Sequence, residues 1–153
     1  HMIRTTITTE AFRPEAELNA FMESRGDHIG AIASFIGYCR TSSAQGRVEH
    51  LELDHYPGFT EGEVARLAAQ AAKRHGLAAL LVIHRVGIIP SRDPIVLVAA
   101  QSQHRAEAFA AVAEMMDYLK TDAPFWKREV GPERSRWIEP TAADYARRAE
   151  HAK

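Results

Sequence analysis

Two stretches of helical periodicity, each preceded by a pair of short β-rich segments, limit the architectures open to this chain. Between Gly58 and Gly76, the residues Val64, Leu67, Ala68, Ala71 and Ala72 recur at the spacing that lays one apolar stripe along a helix. Thr60 followed by Glu63 reads as a capping box, and Lys73 and Arg74 place cations in the last turn. Gly76 suits the left-handed residue that closes a helix. The second stretch runs from Gln103 to Lys120. Along it Phe109, Ala113, Met116 and Leu119 or Lys120 line one side, Met115 and Met116 read as core, and the alanines raise helix propensity. Pro124 prevents simple continuation, and Asp122 is placed to cap a short new turn carrying Phe125, Trp126 and Lys127.

The strand candidates are Gly30–Gly37, Val48–Tyr56, Ala79–Val86 and Pro94–Ser102, all rich in β-branched residues and bounded by glycine, proline or polar turns. Arg40–Arg47 between the first two is a polar loop. The order is strand, strand, helix, strand, strand, helix. Hairpin-like spacing in both strand pairs favours antiparallel neighbours over a doubly wound parallel sheet, which predicts the α+β class. Within the 153 residues no repeat or linker interrupts residues 3–140, which read as a single domain. Residues 141–153 read as a charged, partly helical, frayed tail, and His1-Met2 as a cloning remnant.

Charge and composition remove several function classes. Lys+Arg number 19 against 20 Asp+Glu, so the chain lacks the positive field of a nucleic-acid binder, and any anion must be met by a local cluster of bases. The longest apolar run, Leu77–Ile83, is far shorter than the ~18 to 20 residues of a membrane-spanning helix. With no secretory signal in view, a soluble, cytoplasmic protein is expected. The single cysteine, Cys39, permits neither an internal disulfide nor a cysteine-based zinc site, so no metal and no cofactor is expected. Phosphate-loop, GxGxxG and GxSxG patterns are absent. The eight histidines show no HExxH-like pair, and His28, His50, His55, His75 and His151 read as structural or solvated.

Three segments place bases where a strand or helix begins or ends. Tyr38-Cys39-Arg40 follows the first strand, Gln103-His104-Arg105 opens the second helix, and Lys120–Glu129 spells KTDAPFWKRE around a proline-aromatic turn. Arg105 at a helix start opposes the dipole unless an anion compensates it. Should the three meet, Arg40, His104, Arg105, Lys120 and Lys127 would form a cationic pocket in a neutral protein. Clustered positive charge lowers a lysine pKa, and a neutral amine can attack a carbonyl or accept a proton. The plain alternatives stay open. Arg40 is then solvated, Lys120 an ordinary dipole partner, and Lys127-Arg128-Glu129 an exposed face. Phe125, Trp126 and Trp137 read as core or interface, and Cys39 as a small buried residue or as a thiol whose pKa Arg40 lowers.

The segments GAIASFIGYCR, LELDHYPGFTEGEV, VIHRVGIIPSRDPIVLV, SQHRAEAF and above all MMDYLKTDAPFWKRE, collinear over residues 29–139, resemble the catalytic (large) subunit of molybdopterin synthase. That resemblance implies an α/β hammerhead-like core with an additional antiparallel β-sheet. It also implies a sulfurtransferase that converts cyclic pyranopterin monophosphate (precursor Z) to molybdopterin in molybdenum cofactor biosynthesis. Sulfur would arrive as a thiocarboxylate on the C-terminal Gly-Gly tail of a small ubiquitin-like subunit, and two large subunits would form a homodimer within a heterotetramer. By motif matching, Lys120 and Lys127 fall on the catalytic positions, and Arg40, His104 and Arg105 on substrate-binding positions, with Tyr38, Cys39, Arg128 and Glu129 beside them. Tyr38 departs from the basic residue many members carry there. The rivals from other classes are a non-catalytic module that captures a carboxylate-terminated tail, and an RNA-binding domain built on Trp126, which the neutral charge disfavours.

Overall fold

The computed structural model of the chain describes residues 2–151. His1 of the expected cloning remnant, and Ala152 and Lys153 of the expected tail, lie outside the described residues. In order, the elements are β1 (Met2–Thr8), α1 (Pro14–Glu23), β2 (Ala31–Tyr38), β3 (Ser42–Ser43), β4 (Gly46–Arg47), β5 (His50–His55), α2 (Phe59–His75), β6 (Ala79–Arg85), β7 (Gly87–Pro90), β8 (Pro94–Ser102), α3 (Arg105–Thr121), β9 (Phe125–Val130), β10 (Ser135–Ile138) and α4 (Ala142–Glu150). The class is α+β, and none of the described helices is long and apolar enough to cross a membrane.

The first sheet has the order β1-β6-β8-β2. Its β6–β8 and β2–β8 pairs are antiparallel, but β1 joins β6 in parallel, so the sheet is mixed. All seven residues of β6 are buried because helices cover both faces of the sheet. Leu80 and Val82 enter the main core with Val64 and Leu67 of α2 and Met115 of α3. Leu81 and Ile83 enter a smaller core with Phe12 and with Leu18 and Phe21 of α1. That two-sided burial explains why Leu77–Ile83 is continuously apolar rather than alternating. The second sheet, β10-β9-β5-β7, is antiparallel throughout, and its Leu51, Leu53 and Ile89 close the main core.

Several expectations need correction. The two strands expected as a first hairpin lie in different sheets: β2 pairs with β8 and β5 with β7 and β9. The Cys39 amide donates to Asp93 O (2.9 Å) just beyond the paired ends of β2 and β8, after which the chain leaves the first sheet and the intervening loop folds on itself as the β3–β4 ladder, with Gly46 at φ 109°. Phe125-Trp126-Lys127, expected as a helical turn, opens strand β9 between β5 and β10. The cap of α2 is not Thr60–Glu63. Glu61 accepts from the amide of Gly58, which sits at φ 88°, while Thr60 is fully buried. Gly76 does close the helix in the left-handed conformation. On α3 the buried stripe is Ala108, Ala111, Val112, Met115, Tyr118 and Leu119, one step round from the expected side, and Phe109 is 66% exposed. Residues 142–150 of the tail are helical, in line with its expected partly helical character, but they form the ordered helix α4 packed against α3 rather than a frayed end.

Candidate active site

Lys120 stands in the last turn of α3 and Lys127 on β9, and the connection between them is fixed by hydrogen bonds. The Asp122 and Ala123 amides both donate to Tyr118 O at 2.9 Å, which ends the helix. Thr60 Oγ1 accepts from the Tyr56 amide (2.8 Å) and donates to Pro124 O (3.1 Å), so the start of α2 holds the turn that launches β9. This geometry brings the two lysines to one cavity of about 400 Å³, lined also by Thr121, Ala123, Phe125, Trp126, Trp137, Ile138, Glu139, Pro140 and Tyr145. An adjoining recess is lined by both lysines with Leu119, Phe125 and Asp144.

Burial, and then the Lys120 charge, lower the Lys127 pKa to about 8, against the opposing pull of Asp144. At pH 7 about a tenth of such an amine is neutral, far more than for an ordinary lysine. His84 of β6 was missed in the sequence reading. It is 3% exposed, its ring stacks on Phe125 at 4.3 Å and 17°, and its Nδ1–H donates to Arg85 O at 2.9 Å. Burial, then Lys127, lower its pKa to about 3, so it stays neutral and adds no third charge beside the amines. The signal that marks it is a single histidine inside the apolar strand ALLVIHRV.

The wall opposite β9 comes from α4 and the segment before it. Thr141 and Asp144 cap α4 reciprocally, the Thr141 amide donating to Asp144 Oδ2 (2.9 Å) and the Asp144 amide to Thr141 Oγ1 (3.1 Å). No side chain of α4 is buried. The helix is held by charge: Arg148 makes a two-point bond to Asp122 (2.9 Å each), Arg147 lies 3.6 Å from Asp117, and His151 just beyond reaches Asp117 at 2.7 Å.

The other expected site residues lie elsewhere. Tyr38, Cys39 and Arg40 line an open depression at the end of β2 with Thr41, Ser42 and Arg92. Cys39 is 2% exposed, and burial raises its thiol pKa and outweighs the small lowering by Arg40, so of the two expectations the small buried residue holds. Arg128 is engaged by Glu52 (Nε to Oε2 3.0 Å) and lies over the Trp137 ring. Glu129 is 2% exposed and accepts from Ser43 Oγ (2.7 Å) and Arg134 (3.0 Å). Burial raises its pKa, but these two bonds and Arg136 outweigh it and hold the carboxyl below its usual range. Neither Arg128 nor Glu129 lines the lysine cavity. His104 and Arg105 are exposed at the opposite end of α3 from Lys120. Fifteen residues of helix put Arg105 and Lys120 roughly 22 Å apart. A single copy therefore brings the lysines together but does not gather all five expected cations. Among the described residues no group of three His, Cys, Asp or Glu side chains is spaced to hold a metal ion.

The MoaE protein family matches residues 7–122. A molybdopterin synthase catalytic subunit from Caulobacter vibrioides is 47% identical over 139 residues, 91% of each chain. The solved structure of a molybdopterin biosynthesis MoaE protein from Burkholderia ambifaria MC40-6 superposes with a TM-score of 0.81 at 39% identity, covering 99% of both chains. That of molybdopterin synthase from Staphylococcus aureus gives 0.79 at 26% identity, over 90% of this chain and 98% of that one.

Proposed function

The chain belongs to the MoaE protein family, and from that premise we propose that it is the catalytic subunit of a molybdopterin synthase, a sulfurtransferase acting on cyclic pyranopterin monophosphate. The observation that carries the reading is the cavity shared by Lys120 and Lys127, one of whose amines is poised near neutrality. The sulfur donor is the thiocarboxylated tail of a small ubiquitin-like subunit, drawn to the amines as an anion. Lys120 acts on its thiocarbonyl or carries a proton, and Lys127 orients substrate and assists proton transfer. In this reading the helix-covered first sheet is the hammerhead-like core and the second sheet the antiparallel addition. A cytoplasmic setting is in keeping with the lone free thiol of Cys39. The direct test is reconstitution: protein, thiocarboxylated partner and cyclic pyranopterin monophosphate should yield molybdopterin, and tail binding without product would favour the non-catalytic module.

Turnover should rise about tenfold between pH 7 and pH 9, because deprotonation through a pKa of about 8 takes the neutral Lys127 fraction from about a tenth to about nine-tenths. Lys127→Arg, which stays charged, should remove that rise. A flat wild-type pH–rate profile over this range would exclude a neutral-amine role for Lys127.

If His104 and Arg105 bind the same pterin, they must come from a second copy, since α3 holds Arg105 and Lys120 at its two ends. A homodimer supplies that copy. Arg105→Ala and Lys120→Ala proteins, each inactive alone, should then regain activity when mixed and re-dimerised, because each mixed dimer holds one intact site. Absence of recovery in verified mixed dimers would place both residues' functions within one chain.

A further inference from the structure

The depression at the end of β2 holds two arginines and no acid. Arg40 and Arg92 line it with the hydroxyl-bearing Tyr38, Thr41 and Ser42. Arg92 is the one non-glycine with a positive φ (80°) among the described residues, a conformation that a bulky side chain adopts only when its surroundings impose it. The imposition is visible. The Arg92 amide donates to Cys39 O (2.7 Å), the Cys39 amide to Asp93 O (2.9 Å), and the Ser91 amide to Glu49 O (2.9 Å). The turn is thereby clamped against the end of β2, with Arg92 facing the same depression as Arg40.

Nearby carboxylates are committed elsewhere. Asp93 accepts from Arg85 at 2.8 Å, and the buried Glu129 accepts from Ser43 and Arg134. Among the described residues neither Arg40 nor Arg92 makes an ion pair, so two like charges face one open space without a direct partner. Guanidinium forks beside hydroxyl donors match the oxygens of a phosphate better than any uncharged ligand. Along the second sheet, Lys127 pairs with Leu53, and three residues further on Val130 and Pro90 both pair with His50. The turn bearing Arg92 thus begins about 10 Å along the strands and, two strands across the sheet, about 10 Å sideways from Lys127.

We propose that Arg92 is a substrate-binding residue, which joins Arg40 in gripping the phosphate of the pterin substrate; this rests on the synthase reading above. The strained φ is maintained because the guanidinium is needed at that point of the turn. Nothing in the amide bonds of the turn calls for an arginine side chain, and glycine would satisfy them without strain.

The test is Arg92→Gly in the full chain, a change that relieves the backbone and leaves no packing void. The half-saturating concentration of pterin substrate should rise about tenfold, as for loss of a charged hydrogen-bonding partner, with the maximal rate within twofold of wild type. Arg92→Lys, which keeps the charge and loses the fork, should fall between. Calorimetric titration with the substrate, and separately with inorganic phosphate, should show matching losses in the glycine variant. Unchanged substrate affinity in Arg92→Gly overturns the proposal while wild-type turnover leaves the synthase reading intact. Loss of phosphate binding alone, with substrate affinity unchanged, also overturns it, because the depression then serves free phosphate. If wild-type protein makes no molybdopterin but binds the pterin through Arg92, the synthase reading fails and the binding residue stands.

Discussion

Lys120→Ala should lower sulfur transfer by about 10²- to 10⁴-fold, the range over which a positioned acid–base group contributes. The expected loss is catalytic rather than structural. Lys120 is exposed at the cavity wall in the last turn of α3, so truncation opens no void in the core, and the bonds that end the helix come from Thr121, Asp122 and Ala123. Circular dichroism, thermal melting and partner affinity should stay at wild-type values while single-turnover molybdopterin formation collapses. Near-normal turnover in this variant would refute the assignment of Lys120. The pairing with Lys127 adds a second signature. Without the Lys120 charge one cause of the lowered Lys127 pKa disappears, so the residual activity should titrate at higher pH than in the wild type.

Glu129→Ala should destabilise the fold by about 2 kcal/mol, below the ~3 to 5 kcal/mol for removal of one partner from a fully buried ion pair, because Arg134 retains some access to water. For a chain of this length that corresponds to a fall in melting temperature on the order of 5 to 8 °C. The carboxylate ties the β3–β4 hairpin to β9 through Ser43 and neutralises Arg134 and Arg136, whose Nε is buried without a hydrogen-bond partner. Its removal should therefore speed amide exchange in residues 41–47 first. The sign with pH follows from the lowered folded-state pKa. Stabilisation by Glu129 is complete above the ordinary glutamate range near about 4.3 and is lost as acid protonates the folded protein below it. A melting temperature unchanged in the variant at pH 7 would show that the buried carboxylate contributes nothing net.

Strands bounded by glycine and proline were legible in the sequence, and β8 coincides with the segment expected from Pro94 to Ser102. The lysine motif stood out, and the cavity gathers both its amines. What escaped has physical causes. Strand β9 follows a helix and a proline, a context that reads as a turn, and only pairing with β5 and β10 makes it extended. On α3 the alanine-rich sequence gives little contrast between faces, so Phe109 was drawn inward although Ala108 and Val112 pack there. Helix α1 carries Pro14 in its first turn with Glu15 and Glu17 beside it, a start signal that went unused. Arg105 and Lys120 belong to the same helix, and counting its rise from the sequence would already have separated them. His84 was hidden by the opposite effect, since an apolar strand draws attention away from its one polar member.

Helix α3 works as a measuring rod. Its 17 residues set both the span and the angular phase between His104-Arg105 at one end and Lys120 at the other. Inserting one residue in its interior would turn one end by about 100° relative to the other, and even a four-residue insertion that nearly restores the phase would lengthen the rod by about 6 Å. Variation in chain length among functional sequences of this kind should therefore collect in the exposed hairpin at 41–47, while the stretch from Arg105 to Lys120 keeps a fixed residue count.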